Sequence, residues 1–211
     1  VAFDAAIFSD DKIADFSQQL SYFRKIEKLN SSYEYSLFSD DNDTYYRQTR
    51  KAVRGKFGYS LSGTDIDIYM SASDYMNLRE MLGLPKIALD QHSYILHCPP
   101  AYITLFQVFV DENPVLSVGD ASYQFGGIYS EDFLQQEIPG NGNGILIVVP
   151  DIAVSSLDFQ KQVLAITTRS ALTLAEINEL TEIDETVNVI SKIGVRNKSA
   201  SMAVYTVLPA F

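Results

Sequence analysis

The chain has 211 residues and a formal net charge of −11, from 27 acidic and 16 basic side chains. That balance argues against a duplex-binding surface and against broad docking on anionic lipid, since both require a basic footprint. It leaves open a cationic peptide as partner, or acidity that only keeps the domain soluble.

Hydrophobic residues make up 46% of the chain and can fill a sizeable core. No apolar run reaches the length of about 18 residues that would predict a membrane span. The first residues, Val1–Phe8, lack the basic leader of a signal peptide. We therefore expect either a segment that lies between two membrane helices or a processed soluble protein.

The first predicted element is a long amphipathic helix over residues 10–29. Its apolar residues recur at helical spacing; they are Ile13, Phe16, Leu20, Phe23, Ile26 and Leu29. A strand is predicted over Tyr33–Phe38. The basic and aromatic segment from Tyr45 to Lys56 fits either a local patch for anions or one face of a helix.

An acidic turn lies between these segments and contains Asp40, Asp41 and Asp43. Clustered carboxylates suit Ca²⁺, which prefers oxygen ligands. The turn lacks the glycine and the glutamate that a calcium loop requires at its sixth and twelfth positions. A solvated loop is therefore the prediction.

The stretch from Ile66 to Cys98 predicts a strand, a short helix and a second strand. Apolar and polar residues alternate at its start, as in a half-buried strand. Ser71 or Ser73 is placed to cap the helix. Gly83 suits a left-handed helix end, and Pro85 prevents continuation of the helix.

This unit resembles the extracytoplasmic domain of Gram-positive FtsX-like ABC-transporter permeases, of the MacB- or BceB-like kind. The residues that carry the resemblance are Ser73, Asp74, Tyr75, Leu78, Leu82 and Gly83. Met76 departs from the pattern, in which asparagine follows the tyrosine. A weaker similarity covers Ile145–Asp151. The motif is structural, so the resemblance implies a fold and a context rather than a chemistry.

The second half of the chain predicts several short strands. They are Ala101–Val110, Val115–Val118, Ser122–Tyr129, Ile145–Val149 and Gln162–Thr168. The continuous apolar run at Ile145–Val149 is typical of a central strand buried on both faces. A second long helix follows over residues 170–193. The apolar end, Met202–Phe211, fits either a membrane helix or an edge strand.

Strands in runs with helices between and beside them predict an α+β fold. We expect a mixed, mostly antiparallel sheet with short helices and two long helices near the chain ends. Residues 1–211 are interpreted as one extracytoplasmic domain, divisible into sub-lobes 30–98 and 99–170. The terminal helices, 10–29 and 170–193, would lead to membrane segments.

Few residues suggest catalysis or cofactor binding. His97 and Cys98 are adjacent on a predicted strand and would point to opposite faces, so they could not form a catalytic pair. The glycine-rich segment Pro139–Gly144 lacks the Lys-Ser/Thr pair and the helix of a phosphate loop. No catalytic residue, metal site or cofactor is predicted.

The resemblance implies a non-catalytic domain at the cell membrane, on its extracytoplasmic side, that binds a substrate or partner or transmits conformational change. ATP hydrolysis would occur on a separate subunit. Expected partners are the membrane part of the same permease, indirectly the ATP-binding subunit, and a cationic antimicrobial peptide or a cell-envelope protein. Alternatives are a secreted or cell-surface adhesion module and a cytosolic enzyme with an unrecognised site.

Overall fold

The computed structural model describes residues 3–40, 45–58, 67–131 and 145–192. Five helices and nine strands form there: β1 (Ala5–Ser9), α1 (Ser17–Lys25), β2 (Leu29–Asp40), α2 (Tyr45–Phe57), β3 (Asp67–Ser71), α3 (Ala72–Met81), β4 (Ser93–His97), α4 (Ile103–Glu112), β5 (Val115–Val118), β6 (Ala121–Tyr129), β7 (Leu146–Val149), β8 (Asp158–Thr168), α5 (Leu174–Glu182) and β9 (Asn188–Ser191). Short 3₁₀ segments at Pro100–Tyr102 and Asp151–Ser156 precede α4 and β8. The predicted α+β class is confirmed.

The chain forms two compact units, one made from both ends of the sequence and one from its middle. The terminal unit comprises Val1–Tyr35 and Gln162–Phe211, and the central unit comprises Ser36–Lys161. The chain leaves the terminal unit within β2 and returns to it within β8. The central unit is therefore one continuous insertion in the sequence of the terminal unit. The single domain with sub-lobes at 30–98 and 99–170 stays a prediction.

In the terminal unit, β1 pairs antiparallel with both β8 and β9. Ala5 lies opposite Ile166 on one side and opposite Ser191 on the other. All five residues of β1 are buried. Phe16 and Phe23 from the α1 region and Leu180 from α5 share one apolar core with these strands, which explains the apolar character of β1.

The first terminal helix is shorter than the predicted 10–29. Ser9 ends a strand, and Ile13, which was assigned to the apolar stripe, is 93% exposed. Asp15 accepts a hydrogen bond from the N–H of Ser17 at 2.9 Å, where α1 begins. Leu29 already belongs to β2. The helical spacing of apolar residues thus extends by chance into the loop before α1 and into β2 after it, so the predicted bounds were too wide.

The second terminal helix is also shorter than the predicted 170–193. Thr173 and Glu176 form a capping box that starts α5. Asp184 accepts bonds from the N–H and hydroxyl of Thr186, which makes a turn beyond the helix. The chain then continues as β9, because β1 offers that segment a partner strand.

The central unit contains the strand order β5-β6-β4-β7-β3-β2. Two neighbouring pairs, β4 with β6 and β3 with β7, are parallel, and the others are antiparallel. Every residue of β7 is buried, which confirms the predicted central strand. β3 is also buried throughout, so the prediction of a half-buried strand was wrong.

The predicted strand at Ala101–Val110 was wrong, because the segment forms a 3₁₀ turn and α4. Tyr102 donates its N–H to Pro99 and closes the turn at 2.9 Å. Phe106, Phe109 and Val110 then share one buried helical face. The ring of Phe109 lies 4.8 Å from that of Tyr45, on α2, so packing between helices favours the helical period.

The basic segment after the acidic turn forms α2, so its helix-face interpretation is confirmed. Tyr46, Thr49 and Val53 are buried on one side, while Arg54 and Lys56 are exposed. Several predicted features lie outside the described residues; these are the turn at Asp41 and Asp43, the loop at Pro139–Gly144 and the end at Met202–Phe211.

α1 and α3 end in the same hydrogen-bonded motif but with different residues. The N–H of Leu84 donates to Arg79 at 2.8 Å, and that of Gly83 donates to Glu80 at 3.0 Å. The corresponding bonds at the end of α1 come from Lys28 and Glu27. Both ends are Schellman motifs, which place one residue in the left-handed region. Gly83 has φ +68°, as predicted for a helix end, whereas Glu27 has φ +57° despite its side chain.

Candidate functional site

Four strand ends meet at one edge of the sheet in the central unit. β3 and β7 run parallel, with Ser71 opposite Val149, so their carboxyl ends lie together. β4 runs antiparallel to β7, which brings its amino end to the same edge. β6 runs parallel to β4, with Gln124 opposite Ser93, and also begins there. Segments distant in sequence therefore supply neighbouring side chains.

A cleft of about 590 Å³ opens at this edge. Its walls come from the start of α3, the loop before β4, the start of β6 and the segment after β7. The lining residues are Ala72, Ser73, Leu89, Asp90, Gln91, His92, Ala121, Ser122, Tyr123, Pro150, Asp151 and Ile152. This combination of a concave surface, apolar side chains and a few polar groups is typical of ligand sites.

The amino end of α3 forms one wall of the cleft and is already capped. The hydroxyl of Ser71 accepts the N–H of Asp74 at 3.1 Å, which decides between the two predicted capping residues. Asp151 accepts the N–H of Ser73 at 2.9 Å and also the Ser73 hydroxyl. A carboxylate is stabilised there by the positive end of the helix dipole.

The motif residues occupy both the surface and the interior of the strand–helix–strand unit. Ser73 lines the cleft, and Asp74 accepts the N–H of Ser36 at 3.4 Å. Tyr75 and Leu78 are fully buried. Leu82 is the helix cap, and its N–H bonds to Leu78 at 3.2 Å just before Gly83. Of the six motif residues, only Ser73 lines the cleft.

A buried polar network that the sequence did not predict lies behind α3. Arg79 is 2% exposed and pairs with Glu131 at 2.6 Å. It also donates to the carbonyl of Pro85 at 2.9 Å, and its guanidinium lies 5.6 Å from the ring of Tyr75. The hydrogen bond from Arg79 lowers the pKa of Glu131. The available signal was the spacing of Tyr75, Leu78 and Arg79 on one helical face.

Asp67 is a second buried charge site, at the amino end of α2. Its carboxyl group accepts the N–H of Tyr46 at 2.9 Å and also that of Tyr45. Burial raises the pKa of Asp67 to about 7, against the lowering effect of these two backbone bonds. Asp40 raises this pKa further, while Arg47 lowers it. Asp67 thus titrates in the neutral range.

His97 and Cys98 point into different surroundings, as expected for neighbours at the end of a strand. Nδ1 of His97 lies 2.8 Å from the hydroxyl of Tyr75. Cys98 belongs to the apolar core with Leu96. Burial raises the pKa of the Cys98 thiol to about 12, which disfavours the nucleophilic thiolate.

Within the described ranges, no three His, Cys, Asp or Glu side chains are grouped so that they could hold a metal ion. In the same ranges, no helix is both long and apolar enough to cross a bilayer.

No family model and no curated protein matches the chain. A candidate lipoprotein from Bacillus anthracis is similar in structure, with 7% identity, 89% of this chain and 96% of that chain covered, and a TM-score of 0.45. The periplasmic region of MacB from Actinobacillus actinomycetemcomitans is similar with 8% identity, 94% of each chain covered, and a TM-score of 0.38. At these values the likenesses carry no argument about ligand or activity.

Proposed function

We propose that this chain is a non-catalytic extracytoplasmic domain of an ABC-transporter permease. The observation that carries the proposal is the position of the two ends of the described chain. Ala5 lies opposite Ser191 in the sheet, and Lys192 Nζ pairs with Asp4 Oδ1 at 2.9 Å. A domain can be inserted between two membrane helices when its chain returns close to where it left, and this pairing supports such an insertion.

Within this proposal the domain binds a substrate or partner, or transmits conformational change to the membrane part. The cleft in the central unit supports a binding role, because it combines a concave surface with several polar groups. The high pKa of the Cys98 thiol favours a structural role for the one cysteine.

A cationic antimicrobial peptide is the proposed cargo, and a Gram-positive membrane the proposed location. The net charge of −11 supports the first proposal, since opposite charge steers association. Such peptides should bind the domain at low salt and be released at high salt. Binding that does not change with salt would contradict an electrostatic role.

Cysteine labelling in cells tests the location. Cys98 is buried, so the parent protein should not react with a membrane-impermeant maleimide. The test uses the full-length protein with any cysteine outside this chain removed. Two single variants, Glu112→Cys and Glu185→Cys, each place a cysteine at an exposed position. Both variants should be labelled in intact cells. Labelling only after permeabilisation would overturn the extracytoplasmic location.

Carbonate extraction of the same cells separates the permease from a secreted binding module. A permease should stay in the membrane fraction, because membrane helices resist extraction. Release of the full-length protein into the soluble fraction would overturn the permease proposal.

A further inference from the structure

We propose that the cleft in the central unit binds a small molecule that carries a protonated amine beside an apolar body. This inference rests on the proposed binding role of the cleft and gives that site a ligand class; it is separate from the peptide cargo, which is proposed from the net charge of the chain alone. It does not depend on the membrane context, because every lining residue belongs to the central unit.

The charges of the lining favour a cation. Asp90 and Asp151 are both acidic, and none of the described residues that line the cleft is a lysine or an arginine. An anionic ligand would meet two carboxylates without a lysine or an arginine from the described lining to offset them, and like charges repel. An ammonium group would instead form charge-assisted hydrogen bonds, which are among the stronger polar contacts in proteins.

The amino end of α3 would ordinarily favour an anionic ligand at this place. Here that position is taken by Asp151, which accepts the N–H of Ser73 at 2.9 Å and the Ser73 hydroxyl. The helix therefore orients a carboxylate that belongs to the protein. Each carboxylate oxygen keeps a second lone pair, so Asp151 can accept from a ligand without losing its contacts to Ser73.

Asp90 is held in place by its own turn. Its Oδ1 accepts the N–H of His92 at 2.8 Å, and its carbonyl accepts the N–H of Ser93 at 3.1 Å. Among the contacts of the described residues, Oδ2 of Asp90 has no bond. A carboxylate fixed before binding loses little conformational entropy when the ligand arrives.

Apolar side chains supply the remaining contact surface. The cleft is lined by Leu89, Tyr123 and Pro150. Ile152 also lines it, and 77% of the surface of this side chain is exposed. Covering such a side chain contributes about 25 cal/mol per Å² of apolar surface removed from water. The volume of about 590 Å³ lies in the range of small-molecule sites.

Three probes of matched size test the charge requirement by NMR titration of the chain. These are 2-phenylethylamine, 2-phenylethanol and 3-phenylpropionate. We expect saturable shifts with the amine and an affinity at least about tenfold above that of the alcohol. Equal binding of amine and alcohol, tighter binding of the carboxylate, or no saturable binding of any probe would overturn the proposal.

Substitutions locate the site. Asp90→Asn and Asp151→Asn should each weaken binding of 2-phenylethylamine by about tenfold or more. Asp158→Asn removes the same charge from an exposed position outside the lining and should leave the affinity unchanged. Similar losses in all three variants would show a nonspecific charge effect and overturn the site. Asp90→Asn keeps the test valid if the change at Asp151 disturbs α3.

The outcomes separate this proposal from the preceding one. Failure of the amine to bind removes the cleft as an ammonium site but leaves the labelling result intact. Labelling only in permeabilised cells removes the extracytoplasmic location but leaves amine binding intact.

Discussion

The terminal and central units use charged side chains in different ways. In the terminal unit, Lys28 pairs with Glu176 at 2.7 Å, and both side chains keep about a fifth of their surface exposed. In the central unit, Asp67 is fully buried and Arg79 is 2% exposed. Water screens the first kind of pair and replaces a lost partner, whereas a buried charge has no substitute. The two ion pairs, Lys28–Glu176 at 2.7 Å and Arg79–Glu131 at 2.6 Å, have similar N–O distances but should therefore contribute differently to stability.

The largest expected difference concerns two arginines, each in the last turn of a helix. Arg79→Ala removes the buried partner of Glu131, whose own side chain is 31% exposed, and should lower the free energy of unfolding by up to about 3 kcal/mol. Arg24→Ala, at an exposed position in the terminal unit, should change it by less than about 0.5 kcal/mol. Urea unfolding measures both. Equal losses would remove the contrast between the units.

Titration of Asp67 should make the stability of the central unit depend on pH. Its pKa is about 7 in the folded chain against an ordinary 3.8, so its contribution is fully present below pH 3.8 and is lost as pH rises through about 7. Over this window stability should fall by up to about 1.4 kcal/mol per pH unit. Glu131 and Glu176, whose pKa values are lowered, change stability in the opposite direction at lower pH.

Asp67→Asn isolates that effect, because the amide cannot ionise and still offers an oxygen to the backbone of α2. The loss of stability between pH 5 and pH 8 should be smaller in this variant by a few kcal/mol. The exposed Asp120→Asn provides the control and should keep the pH dependence of the parent. An unchanged slope in Asp67→Asn would show that Asp67 is not the titrating group.

The two Schellman motifs permit a reciprocal exchange between the units. Gly83→Ala places a side chain at φ +68° and should destabilise the chain by about 1 kcal/mol, although the added Cβ meets no atom within 4 Å. Glu27→Gly relieves the same strain at φ +57° and should stabilise it by up to about 1 kcal/mol. Thermal unfolding measures both. A change of the same sign in both variants would contradict the backbone explanation.

The smallest expected effect belongs to the partly exposed ion pair. Glu176→Gln keeps a side chain able to complete the capping box with Thr173 but removes the charge that faces Lys28. The loss should stay below about 1 kcal/mol and shrink further at high salt. Glu182→Gln, exposed on the same helix, provides the matched control. A loss of several kcal/mol would place this pair with the buried charges.

Sequence alone predicted the elements whose signals are local. Helix-capping residues, helix-breaking Gly and Pro residues and apolar runs predicted these elements, which are the strand–helix–strand unit, the left-handed Gly83 and the buried β7. The bounds of the terminal helices and the strand at Ala101–Val110 were wrong for another reason. Apolar residues in these segments fit both a helical and a strand period, and the neighbouring element selects one of them. The segment Asn188–Ser191, for example, forms β9 because β1 pairs with it.

The candidate site was not predictable in the same way. Its lining comes from four segments that only the strand pairing brings together. Asp67 alternates with apolar residues, which is typical of a solvent-facing side chain, and Arg79 is a charged residue of a type that is mostly exposed. Their burial depends on partners far along the chain, such as Tyr46 and Glu131, which no local pattern identifies.

The placement of the central unit inside the sequence of the terminal unit has a consequence for biosynthesis. The strand β1 emerges from the ribosome well before its partner residues, such as Ile166 and Ser191, which are translated only after the central unit. The central unit is contiguous in sequence and can fold while β1 still lacks its partner strands. A nascent chain would thus hold β1 as an apolar, unpaired strand until the whole central unit has been made, and such a segment is the kind that chaperones bind.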